Sequence, residues 1–135
     1  MPLPITGIFA GLNTILLLYL SIQVISYRRT KQIAFGDKDD VGLIRRMRAQ
    51  ANAAEYMPIS LILLGLTEGM GAPGWAVGLL GAALLCGRVT HGLTFASKDT
   101  KVHFRYRVVG MHLTLWPLLA AAAGLIGHGL LQLTY

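Results

Sequence analysis

Four apolar runs, each long enough to cross a bilayer, dominate this chain of 135 residues. A helix rises 1.5 Å per residue, so about 20 residues cross a hydrocarbon core of ~30 Å. Hydrophobic residues make up 54% of the chain and charged residues only 13%, too few for a soluble surface. We predict an all-α integral membrane protein, a single domain over residues 1–135 built as a four-transmembrane-helix bundle. The predicted helices cover residues 5–27, 41–70, 75–95 and 104–133.

The basic residues are concentrated in two of the three connections. Of twelve Lys and Arg residues, seven lie between positions 28 and 48 and four between 98 and 107, with Arg88 as the remaining one. Membrane proteins retain such basic segments in the cytoplasm, so both connections are predicted to be cytoplasmic and both termini to lie on the opposite side. The net charge of +6 therefore indicates topology and contact with anionic membrane lipids, and no nucleic-acid partner.

Small residues indicate where the helices pack closely. Gly74, Gly78 and Ala82 recur every four positions, as do Ala120 and Gly124, and Gly81 adds to the set on the third helix. These small residues predict close helix contacts within the chain or between subunits. The single cysteine, Cys86, lies within an apolar run, so we expect a small buried side chain there.

A polar stripe interrupts the start of the second apolar run. Arg48, Asn52 and Glu55 are spaced four and three residues apart, so they share one helix face. Asp39 or Asp40 is expected to cap this helix. Charged groups at membrane depth are expensive and mark functional sites, although an internal salt-bridge network that only fixes packing is the alternative interpretation.

Two further polar groups fall near the same cytoplasmic side. Arg88 and His91 lie three residues apart on the third helix, and Arg105 and Arg107 begin the fourth. His91 is equally compatible with helix packing, and the two late arginines with topology alone. The other histidines are scattered and the chain has one cysteine, so no metal site is predicted.

The side chains in this layer favour a small ligand with several negative groups and one positive group. Arginine binds carboxylates through two parallel hydrogen bonds, and a glutamate can hold an ammonium group. An arginine beside a thiol also favours the nucleophilic thiolate. Glutathione meets these demands, although the residues alone do not select it.

The segment 48–58, RAQANAAEYMP, resembles the signature of the MAPEG family, the membrane-associated proteins of eicosanoid and glutathione metabolism. The pattern is Arg-x-x-x-Asn-x-x-Glu-Tyr-x-Pro at the start of helix two, and the likeness extends over essentially the whole chain. It implies a homotrimer that binds glutathione as co-substrate in clefts between subunits, open to lipophilic substrates from the bilayer. It assigns Arg48, Asn52, Glu55 and Tyr56 to the glutathione site.

The resemblance also assigns roles on the later helices. Arg88 matches the family's helix-three arginine, and Arg107 the helix-four arginine that activates the thiol, with Arg105 as the fallback. His91, included with the glutathione-binding residues, and Phe95 stand where several animal members have tyrosines. The segments 87–91 (GRVTH) and 111–114 (MHLT) resemble a poorly characterised bacterial inner-membrane branch of the family.

The expected function is an integral-membrane glutathione transferase, with glutathione peroxidase as a related activity, in a bacterial inner membrane. One alternative is a non-catalytic membrane protein that binds a lipid or a small anion. A less favoured alternative is a small proton-coupled exporter with Glu55 as the proton carrier, because such exporters often carry their glutamate in the first helix. The first predicted helix of this chain contains no acid.

Overall fold

A computed structural model describes residues 2–94 and 100–134, with side chains of the last helix described from Phe104 onward. The described residues form four α-helices, so the predicted all-helical class is confirmed. The predicted third helix ends at Phe95, which lies outside the described residues. The helices are α1 (Pro4–Lys31), α2 (Val41–Gly69), α3 (Gly74–Thr94) and α4 (Thr100–Leu133).

Among the described residues, three helices are long and apolar enough to cross a membrane. They are α1, α3 and the part of α4 from Phe104 to Leu133. Although α2 has 29 residues, it is not one of the three. Its first half carries the arginines and the glutamate of the polar stripe, which lower its hydropathy.

The helix ends follow from local chemistry. Pro4 occupies the first turn of α1, where its missing N–H is not needed. Of the two predicted caps of α2, Asp40 is the one observed, because its carboxylate accepts a hydrogen bond of 2.9 Å from the Leu43 N–H. Gly71, after the end of α2, has a φ of +83°, a conformation that favours glycine.

Two helix pairs form most of the packing. α1 packs on α2 through a cluster of Leu16, Leu20, Ala49, Ala53 and Met57, all buried. α3 packs most extensively on α4, and α2 also contacts both α3 and α4. This arrangement sets the polar stripe of α2 beside the α3–α4 pair.

One close contact between helices lies at a pair of glycines that the spacing pattern did not indicate. A Cβ atom on Gly87 of α3 would lie 2.8 Å from the Gly110 carbonyl oxygen of α4, so only glycine permits this approach. By contrast, a Cβ on Gly78 or Gly124 would meet nothing within 4 Å, so the repeat does not mark close contacts within the chain at these positions.

The prediction that Cys86 is buried is wrong, because it lies on an exposed face of α3.

Candidate functional site

The most buried large polar side chain is Arg88, at 1% exposure. It lies on α3, next to the glycine contact that brings α3 and α4 together. Burying an arginine is costly unless its five donors find acceptors, because the guanidinium keeps its charge in proteins. The partners of this side chain therefore show which helices it holds together.

Arg88 is held by oxygen and sulfur atoms of neutral residues. Its Nε and Nη2 donate to the Thr114 hydroxyl on α4, at 2.9 and 2.6 Å. Nη1 donates to the side-chain oxygen of Asn52 on α2 at 2.6 Å, and Nη2 lies 3.6 Å from the Met111 sulfur. The Tyr56 ring lies 5.2 Å from the guanidinium carbon, within cation–π distance. One arginine thus joins α2, α3 and α4.

Three of the predicted site residues therefore form one contiguous cluster: Asn52, Tyr56 and Arg88. Asn52 and Tyr56 are half-buried, whereas Arg88 is fully enclosed. A ligand can reach the first two without any rearrangement, but it cannot touch the Arg88 guanidinium in this conformation. The motif contains Asn52 and Tyr56 but not Arg88, and it gave no information on how deeply each side chain is buried.

Arg48 and Glu55 lie on the exposed side of the same α2 stripe. Neither has a hydrogen bond or ion pair within the part of the chain that the structure describes. The alternative interpretation, an internal salt-bridge network linking Arg48, Asn52 and Glu55, is therefore not what this chain forms on its own. The two charges remain on its open surface.

His91 and Arg107 line a second feature, a recess of about 210 Å³ between α3 and α4. His91 is buried at 5% exposure, whereas Arg107 is exposed. The rest of the wall is largely apolar and includes Val108 and Met111. Arg105, the fallback, is exposed and does not line this recess. The structure thus groups Arg107 with His91 and leaves Arg105 outside.

Comparisons with known proteins identify the family of the chain. The sequence model of the MAPEG family matches residues 6–127, which is most of the chain. The chain belongs to the MAPEG family. This MAPEG protein is also 34% identical over 115 residues to the inner membrane protein YecN of Escherichia coli K12, covering 85% of each chain. YecN of the O6:H1 strain matches equally well.

Two residues that organise this MAPEG protein were missed from the sequence. Thr114 is fully buried and accepts both bonds from Arg88, and it is the only Ser or Thr in the span from Phe104 to Leu133. That isolation marks Thr114 as unusual in an apolar run, but only the packing of α3 on α4 shows that it accepts from Arg88. Glu68, near the end of α2, accepts backbone hydrogen bonds from Ile5 and Thr6. Ile5 and Thr6 lie more than 60 positions before Glu68, so nothing in the sequence indicated this contact.

Proposed function

We propose that this MAPEG protein is an integral inner-membrane glutathione transferase, with glutathione peroxidase as a second activity. The observation that carries the proposal is the pair Arg48 and Glu55, which flank Asn52 on one face of α2, are exposed and have no polar partner among the described residues. A cation, an amide and a carboxylate in this order match a peptide with carboxylates and an ammonium group. YecN is named an inner membrane protein, which supports the same membrane for this chain.

In the proposed topology, α2 crosses the membrane together with the three more apolar helices. The basic segments 28–48 and 98–107 face the cytoplasm, and both termini lie on the other side. The polar face of α2 then lies near the cytoplasmic surface. Cytoplasmic glutathione could reach it without crossing the bilayer, whereas the lipophilic substrate would arrive from the membrane.

The proposed assembly is a homotrimer with glutathione bound between neighbouring subunits. Charged side chains at membrane depth normally face a bundle interior or a water-filled cavity. Arg48 and Glu55 face neither within one chain, so a neighbouring subunit is a natural cover for them. The resemblance to the family supports three subunits as the number.

Arg107 is proposed to stabilise the glutathione thiolate. The recess beside it is largely apolar, which suits a lipophilic reactant. In the transferase reaction the thiolate sulfur attacks an electrophilic carbon, a C–S bond forms, and the leaving group departs with the electron pair. In the peroxidase reaction two glutathione molecules are oxidised to the disulfide, and the hydroperoxide is reduced to an alcohol and water.

The test is calorimetric titration of the detergent-solubilised protein with glutathione. The wild type is expected to bind saturably, and Arg48→Ala to bind at least about tenfold more weakly because a charge-assisted contact is lost. Arg45→Ala is the matched control, since Arg45 lies three residues earlier on α2 outside the motif. Equal binding by all three proteins would remove Arg48 from the site, and no binding by the folded wild type would reject glutathione.

A second recess supports the alternative function, binding of a lipid or small anion without catalysis. It measures about 400 Å³ at the end of α1 and is lined by Arg28, Arg29, Gln32 and the apolar Ile25 and Ile33. Two arginines beside apolar side chains suit an anionic headgroup at the membrane surface. Titration with short-chain phosphatidylglycerol would favour this function if it bound saturably while glutathione did not.

A further inference from the structure

The orientation of the Asn52 side chain follows from what Arg88 can and cannot do. Arginine has five N–H donors and no acceptor, so the Asn52 atom that faces it at 2.6 Å must be the amide oxygen. The amide nitrogen therefore points away from Arg88. Its two N–H donors form no hydrogen bond with the described residues, and Asn52 is half-buried on the face that carries Arg48 and Glu55.

Arg88 is itself held in place from the opposite side. The Thr114 hydroxyl accepts from Nε and Nη2 with both lone pairs and donates its proton to the Gly110 carbonyl at 2.9 Å. All of its hydrogen-bonding capacity is thereby used. The Gly87–Gly110 contact places this hydroxyl against α3, because a larger residue would separate the helices.

We propose that Thr114 and Arg88 are positioning residues that fix the Asn52 amide as a hydrogen-bond donor to an anionic ligand group. The chain of contacts runs from the Gly110 carbonyl through Thr114 and Arg88 to the Asn52 oxygen. The identity of the ligand group, a carboxylate of glutathione, rests on the proposed function, whereas the orientation of the Asn52 amide does not. Thr114 is fully buried on α4 and contacts Arg88, so it acts through the other two residues.

The test observes the Asn52 amide directly. The chain contains two asparagines, so labelling their side-chain amides with ¹⁵N gives two N–H pairs in the NMR spectrum of the detergent-solubilised protein. Asn13 is the internal control, because it is fully buried on α1 and donates to the Phe9 carbonyl at 2.8 Å. Asn52→Asp removes one pair and assigns both.

Thr114→Val keeps the shape of the side chain but removes the hydroxyl. We expect it to shift or broaden the Asn52 pair while the Asn13 pair stays unchanged, and to weaken glutathione binding about tenfold. Thr114→Ser, which restores the hydroxyl, should return both the Asn52 signal and the affinity to near their wild-type values. A purely structural role for Thr114 would not single out Asn52.

The outcomes separate this proposal from the proposed function. An Asn52 pair that stays in place in Thr114→Val overturns the positioning role, whether or not glutathione binds. If the Asn52 pair shifts in Thr114→Val but the wild type does not bind glutathione, the positioning role is supported and glutathione is rejected as the ligand. If Thr114→Val does not fold, Arg88→Lys replaces it. That variant should move the Asn52 pair because lysine lacks the planar fork, and an unmoved pair would overturn the proposal.

Discussion

The two glutamates of α2 have opposite surroundings. Glu68, near the end of the helix, accepts hydrogen bonds from the Ile5 and Thr6 backbone N–H groups at 3.0 and 2.7 Å. Glu55, three and a half turns earlier, is exposed and has no polar partner among the described residues. The residue before α1, Leu3, offers no side-chain cap, so Glu68 supplies one from another helix.

This difference distinguishes polar groups that stabilise the fold from polar groups that have no partner among the described residues. The carboxylate of Glu68 satisfies donors that would otherwise be left open at the start of α1. Glu55, by contrast, forms no hydrogen bond or ion pair with the described residues. The same contrast applies to the arginines, since Arg88 is enclosed by acceptors and Arg48 is not.

The largest effect is expected at the proposed thiolate-stabilising residue. Arg107→Ala should lower turnover of glutathione with a soluble electrophile by about a hundredfold, because one electrostatic contact to the developing charge is lost. The melting temperature should change little, since Arg107 is exposed. Arg105→Ala is the matched control, and a greater loss in that variant would transfer the role to Arg105.

Glu55→Gln tests the unpartnered side of the comparison. Loss of the negative charge should raise the Kd for glutathione about tenfold, because the ammonium group loses its counter-ion. The turnover of bound glutathione and the melting temperature should stay close to wild type. A lower melting temperature with unchanged Kd would instead make Glu55 a packing group, as Glu68 is.

Glu68→Ala tests the partnered side. Removing both hydrogen bonds to the α1 backbone should lower the melting temperature on the order of 5 °C, with the Kd for glutathione unchanged. Glu55→Ala is the matched control on the same helix and should melt with the wild type. If the two variants had the same melting temperature, the hydrogen bonds of Glu68 would not contribute more to stability than the exposed side chain of Glu55.

The smallest effect concerns Asp40, the cap at the other end of α2. The hydrogen bond from the Leu43 N–H, with a second from the Tyr27 hydroxyl, holds the pKa of Asp40 below its ordinary value of 3.8. A lowered folded-state pKa gives stability that is present above the ordinary value and lost as the pH falls through the folded one.

We therefore expect the melting temperature of the wild type to fall about 2 °C more than that of Asp40→Asn between about pH 7 and about pH 3. Thermal unfolding at both pH values, followed by circular dichroism, measures this difference. Identical pH dependence in the two proteins would exclude Asp40 as a source of acid sensitivity.

Much of the architecture was readable because membrane crossing imposes simple rules on sequence. Apolar length predicted the helices, and the Arg-x-x-x-Asn-x-x-Glu-Tyr motif identified the family. The predicted helix ends were less exact, since α1 continues one turn past residue 27 to Lys31 and α4 starts before residue 104. Polar residues that continue a helix beyond the apolar run carry no hydropathy signal.

The candidate site was predicted as a set of residues but not as a geometry. Helical spacing placed Arg48, Asn52 and Glu55 on one face, and this depends only on position along one helix. Which of them is exposed depends on how α3 and α4 pack against α2. Neither the full burial of Arg88 nor the acceptor role of Thr114 could be read from spacing, because each requires atoms from a different helix.

The sequence alone predicted the helical class, the family and the polar residues that share one face of α2. These follow from composition and from contacts within a few residues. Which charged side chains find partners inside the chain depends on how the helices pack. The Gly87–Gly110 contact brings α3 and α4 together, encloses Arg88 against Thr114 and Asn52, and leaves Arg48 and Glu55 on the open face of α2. The physical reason is that hydrogen-bond partners of a buried charge are set by distance in space, which the order of residues does not encode locally.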